Sequence, residues 1–217
     1  MNHAIGIVAH PSRSTMAYYL AYQVGSPCVA IDDMGMGCAA NHRRTWEWLA
    51  LRGHGDWCVV LEDDAVPVPS FREQLADALD HSPAPIVSLY LGRCRPGNAQ
   101  ATIRDHVAYG PDTPWLITNR LLHAVGVAIR TDLVASMVDH TAALKGCPID
   151  EAISHWAATH QLPVAYTWPS LVDHADTPSL VHGPTRHHHV RRVAWRTGTR
   201  TTWQGEATQL HFPAVYC

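Results

Sequence analysis

At 217 residues the chain is long enough for one α/β domain with a buried core and a small appendage. Its 47% apolar and 16% charged residues are ordinary for a soluble globular protein, and no apolar run approaches the roughly 20 residues of a membrane span. A net charge of −3 implies neither a nucleic-acid nor a membrane partner.

The cysteines at 28, 38, 58, 94, 147 and 217 contain no CxxC pair. That argues against a structural zinc site or a disulfide framework and for free thiols in a reducing compartment. The first residues, MNHAIGIVAHPSR, have no basic leader and read at once as a strand, so a cytoplasmic protein is expected.

Residues 4–9 form a first strand that opens onto His10-Pro11-Ser12-Arg13. Ser12 or Ser14 caps a helix with Met16, Tyr19, Leu20 and Val24 at helical spacing, and Gly25 stops it. Strand 28–32 follows and ends in Asp32-Asp33, completing a βαβ unit that implies a parallel sheet. An acid at that strand end either holds a ribose or base or is a turn residue. The loop 34–38 then leads into a helix over 39–52 with Gly53 as its stop.

Next comes WCVVLEDDAVPVPSF, residues 57–71. A buried apolar strand runs directly into Glu62, Asp63 and Asp64. At the carboxyl edge of an α/β sheet, clustered oxygens suit a hard divalent cation bridging to a diphosphate, and the rival reading is a solvated acidic turn. Ser70 and Glu73 have capping-box spacing ahead of a helix over 70–80, and 86–91 is a further buried strand. Residues 93–120 are irregular, with Gly97, Gly110, Pro111 and Pro114, and are expected to be a lid or acceptor-binding loop. Strand 124–129, a helix from Thr131, a helix over 152–160 and strand 164–168 complete the pattern. Asp150, just ahead of the helix over 152–160, is either its N-cap or a general base.

The run GMGCAANHRRTWEWL (35–49), followed at short spacing by VVLEDDAVPVPSF (59–71), resembles the family 25 glycosyltransferases, which include lipopolysaccharide-sugar and collagen galactosyl transferases. HAVGVAIR, PIDEAI and PSLVDH resemble that family's later landmarks in the same order, so the likeness spans about residues 35–175. Asn41 stands where the family has Ser, and the first 34 residues are shorter than the family's opening.

The resemblance implies a GT-A (Rossmann-like), mostly parallel sheet flanked by helices over residues 1–176. It also implies transfer of a sugar from a nucleoside-diphosphate sugar, such as a UDP-sugar, to an acceptor hydroxyl with Mn²⁺ or Mg²⁺. Asp64 and His174 are the implied metal ligands, although a core or surface role is the alternative for His174. The donor-binding candidates are His10, Arg13, Asp32, Asp33, Asn41, Arg44, Glu62 and Asp63, with Asp150 or Glu151 as catalytic base.

Within enzymes, a nucleotidyltransferase is the main rival, since it uses a similar acid cluster. From another class, the rival is a silent nucleic-acid or metal-binding module.

Residues 177–217 read as a basic C-terminal extension packed on or beside the domain. Between 177 and 205 it holds five arginines and four histidines with no acid. Arg186, Arg191, Arg192 and Arg196 interleaved with Trp195 suit phosphate contacts and base stacking, and the plainer reading is a solvated basic arm. On the nucleic-acid reading the acceptor is a hydroxymethylated DNA base, as in a phage-encoded enzyme working in host cytoplasm, rather than a glycan or protein.

Overall fold

Apolar runs that are hidden on both faces form the centre of a sheet, because only paired strands satisfy the backbone there. The structure is a computed structural model that describes residues 2–52, 55–177 and 191–212. The chain opens with β1 (His3–Ala9), α1 (Ser14–Val24), β2 (Cys28–Ile31), α2 (Cys38–Arg52) and β3 (Trp57–Glu62). It continues with β4 (Ala65–Pro67), α3 (Phe71–Asp80), β5 (Ile86–Ser88), α4 (Gly97–Tyr109), β6 (Trp115–Thr118) and β7 (Gly126–Arg130). The last elements are α5 (Thr131–Ala143), α6 (Ile149–Thr159), β8 (Val164–Thr167), β9 (Val172–His174) and β10 (Ala207–Gln209).

Among the described residues, eight strands form one sheet in the order β2-β1-β3-β7-β5-β8-β6-β10, while β4 and β9 form a separate antiparallel ribbon. Strands β1, β2 and β3 are parallel, as the βαβ pattern required. Strand β7 runs against both its neighbours and β6 runs against β8, so the α/β sheet is mixed.

Alternation along β3 sends Val59 and Leu61 to one face with α1 and α3, and Cys58 and Val60 to the other with α2, α5 and α6. Each fully buried Leu or Val contributes roughly 1.5–3 kcal/mol. Gly6 on β1 lets α2 come close, since a Cβ there would lie 2.7 Å from the Thr45 methyl. Gly25 ends α1 in the left-handed region at φ 69°, as its position predicted.

Three expectations change. The stretch 93–120 holds α4 and β6 rather than a lid. Its prolines and glycines flank the elements instead of interrupting them, with Pro96 as N-cap and Gly110 as C-cap. Ser70 adopts φ 54° and makes no side-chain cap, so the capping box does not form. Cys28, Cys38, Cys58 and Cys94 are free thiols, but Cys147 is disulfide-bonded.

Arg186 and the histidines at 182 and 187–189 lie outside the described residues. Over residues 191–212 the extension is built into the domain, because β10 pairs with β6 and Trp203 is fully buried against Trp115. The Trp203 indole N–H donates to Gln74 Oε1 at 3.0 Å. Trp203→Ala is therefore expected to cost about 3–5 kcal/mol, measurable by denaturant unfolding, where an arm resting on the surface would cost almost nothing.

Candidate active site

The carboxyl ends of β1, β2 and β3 open onto a cleft of about 380 Å³. Its wall includes His10, Arg13, Asp32, Asn41, Glu62, Asp63, Asp64, His174 and Arg192, so nine of the sequence candidates converge there. Parallel β1 and β3 bring Val8 opposite Glu62, which sets the 10–13 turn against the acids.

Asp63 is held from two sides, by the His10 backbone N–H at 2.9 Å and by Arg13 Nη1 at 3.0 Å. Arg13 Nη1 also donates to Asp64 Oδ2 at 2.5 Å. The β4–β9 ribbon pairs Ala65 with His174, so His174 Nε2 comes within 3.3 Å of the same Asp64 oxygen. Asp64 Oδ1 is buried and has no partner. Burial and then Glu62 push the Asp64 carboxyl up, against the pull of His174 and Arg13. A carboxylate in that state favours a further cation.

His174 Nδ1 accepts the Asp176 backbone N–H at 2.8 Å. Burial lowers its pKa, so the neutral ring carries its proton on Nε2 and presents a donor to Asp64. In this arrangement His174 Nε2 faces Asp64 and is placed to orient that carboxylate. Asp64 Oδ1 does fit Mn²⁺ or Mg²⁺, which take oxygen from one or two carboxylates and fill their shell with water and substrate phosphate.

The remaining donor candidates divide. Asp32 accepts the backbone N–H groups of Met36 and Gly37, both at 2.8 Å, and so fixes the loop over the cleft. Asp33 is exposed and outside the cleft wall. Asn41 spans the Ala9 and Ala30 carbonyls, while Arg44 reaches the Ile31 carbonyl and Asn41 Oδ1, so both clip β1 and β2 to α2.

Asp150 lies in the first turn of α6, whose N-cap is Pro148, and its Oδ1 accepts the Glu151 N–H at 3.0 Å. Burial first and Glu62 second raise its pKa to about 6. Asp150 and Glu151 stand outside the cleft wall, although Asp150 feels the charge of Glu62.

Of the extension's candidates, Arg192 joins the cleft wall, anchored by its backbone N–H to Asp176 at 2.9 Å. Arg191 also pairs with Asp176, and Arg196 and Arg200 pair with Asp112. Trp195 donates to Gln100 and lies under Arg93. Arg192 and Trp195 are partly buried against the domain, whereas Arg191 and Arg196 stay exposed.

Two cleft residues with ionisable side chains, Cys38 and His42, are not among the sequence candidates. Their i, i+4 spacing at the start of α2 was the available signal. Burial opposes a charge on His42, but Cys38 and Glu62 outweigh it and raise its pKa to about 10.

No protein-family model and no curated protein sequence matches the chain. Among solved structures it is similar to a mannose-1-phosphate geranyltransferase from Thermus thermophilus, at 11% identity and TM-score 0.44 over 77% of this chain and 74% of that one. It is also similar to a putative glucose-1-phosphate thymidylyltransferase from Bacillus anthracis, at 11% identity and TM-score 0.45 over 76% and 86% of the two chains. A glycosyltransferase involved in glycosylation of the major capsid of PBCV-1 aligns at 10% identity and TM-score 0.34 over 66% of each chain.

Proposed function

We propose that the chain is a nucleotide-sugar-dependent glycosyltransferase. The observation that carries this reading is the unpartnered, buried Asp64 Oδ1 in a cleft that also holds Arg13 and Arg192. A buried carboxylate oxygen left without a partner, in a cleft that two arginines also line, is a donor set for a diphosphate with its metal. When bound at Asp64, Mn²⁺ or Mg²⁺ supplies stabilisation of the negative charge that develops on the leaving diphosphate.

Arg13 and Arg192 add fixed positive charge on the diphosphate side. Asp32 holds the 33–37 loop in place over the donor, and His174 keeps Asp64 turned toward the cleft. In an inverting transfer the bond from the anomeric carbon to the diphosphate breaks as the acceptor oxygen bonds to that carbon. The acceptor's proton passes to a carboxylate, and Asp150, with its pKa raised to about 6, is suited to take it near neutral pH.

A nucleotidyltransferase joins a sugar phosphate to a nucleoside triphosphate and releases pyrophosphate. The test is therefore product identity. UDP-, GDP-, TDP- and ADP-sugars are incubated with the full chain, Mn²⁺ and acceptor panels that include glycans, proteins and hydroxymethylated DNA. Release of nucleoside diphosphate is expected. Pyrophosphate from a nucleoside triphosphate and a sugar phosphate, with no turnover of any nucleotide sugar, would assign the rival reaction.

A further inference from the structure

We propose that Cys38, His42 and Glu62 form a second cation site in the cleft, one that takes a zinc-class ion rather than Mn²⁺ or Mg²⁺. One ligand atom from each of these residues lies within 4.8 Å of the other two. Cys38 and His42 are four residues apart at the start of α2, so they share a helix face, and Glu62 reaches them from the end of β3.

His42 is 1% exposed, and its Nε2 is buried without a hydrogen-bond partner. That nitrogen lies 3.4 Å from Glu62 Oε1, an ion pair while His42 keeps its proton, and an ion bound between them would displace that proton. A tetrahedral zinc site, with metal–nitrogen and metal–oxygen distances of about 2.0–2.2 Å, has a ligand–ligand edge of roughly 3.4 Å. The spacing is that of two ligands around a shared ion.

Thiolate and imidazole prefer zinc over the hard cations suited to Asp64. Cys38 is exposed, so an ion enters from the cleft, and the fourth position faces the same space. A water or a substrate oxygen completes the set there, as in zinc sites with three protein ligands. The site stands independently of the glycosyltransferase reading.

The test uses the full chain, stripped with chelator and titrated with Co²⁺ as a spectroscopic substitute for Zn²⁺. A thiolate-to-cobalt charge-transfer band is expected, and Zn²⁺ should abolish it. Cys38→Ala, at an exposed position, should keep the wild-type circular dichroism and lose the band. Glu62→Gln should weaken Co²⁺ binding by at least about tenfold, a loss that even second-sphere changes at metal sites can cause. Asp64→Asn should leave the band in place. Absence of a band, a band that survives Cys38→Ala, unchanged affinity in Glu62→Gln, or loss of the band in Asp64→Asn would each overturn the proposal.

Discussion

Asp64→Asn is expected to lower divalent-cation-dependent turnover by about 10²- to 10⁴-fold, the several kcal/mol that a Lewis-acid cation contributes at a departing phosphate. Fold stability should hardly change. The amide keeps an acceptor for Arg13 and His174, and it removes a carboxylate whose surroundings already push its pKa upward. Burial and Glu62 hold the carboxyl above its ordinary value, so ionising Asp64 adds less to stability than ionising a solvated carboxylate, and neutralising it should subtract little. The thermal midpoint should stay within about 4 °C of wild type, a range that corresponds to roughly 1 kcal/mol for a domain of this size. Turnover with Mn²⁺ near the wild-type level would reduce the acidic run to a turn.

Asp150→Asn is the second large effect, and it separates catalysis from capping. A general base contributes about 10² to 10⁴ in rate, whereas a lost N-cap costs about 1 kcal/mol of stability with little change in rate. Pro148 occupies the N-cap position, so the capping contribution is small from the outset.

The sign of the pH dependence follows from the raised pKa. The folded carboxyl rises from 3.8 to about 6, so the folded state binds the proton more tightly than the unfolded state. Stability from this group is therefore present below its unfolded pKa and falls as pH rises through about 6. At pH 8, Asp150→Asn should then be at least as stable as wild type and far slower. In the wild-type enzyme, kcat should fall on the acid side with a midpoint near 6. Glu151→Gln is the companion variant. If it loses the turnover while Asp150→Asn keeps it, the base is Glu151.

The cleft was legible where a strand's apolar run ended in charge. Glu62, Asp63 and Asp64 follow β3 immediately, and the βαβ rule alone put His10, Arg13 and Asp32 at the same edge. His174 was found by position too, but its tautomer depends on the Asp176 backbone N–H, a contact set by how the chain leaves β9.

Other features depend on partners far away in sequence. Asn41 and Arg44 sit in the most recognisable motif, yet they spend their polar groups on carbonyls of β1 and β2. The extension looked like a free basic arm because its compensating acids, Asp112 and Asp176, lie outside it. Nothing in its own composition reveals that Trp203 fills the core beside Trp115. Helix α4 was missed because punctuation was read as interruption, although Ala99, Ile103 and His106 carried helical spacing.

The central claim is that the acidic cleft takes the diphosphate of a nucleotide sugar together with a divalent cation. Equilibrium titration of UDP, GDP, TDP and ADP into the full chain, with Mn²⁺ and again with chelator, tests it most directly. The account predicts that at least one nucleotide binds with Mn²⁺, that chelator weakens this binding, and that Arg13→Ala and Asp64→Asn each weaken it further. Absence of binding by all four nucleotides, or binding unaffected by chelator and by both substitutions, would contradict it.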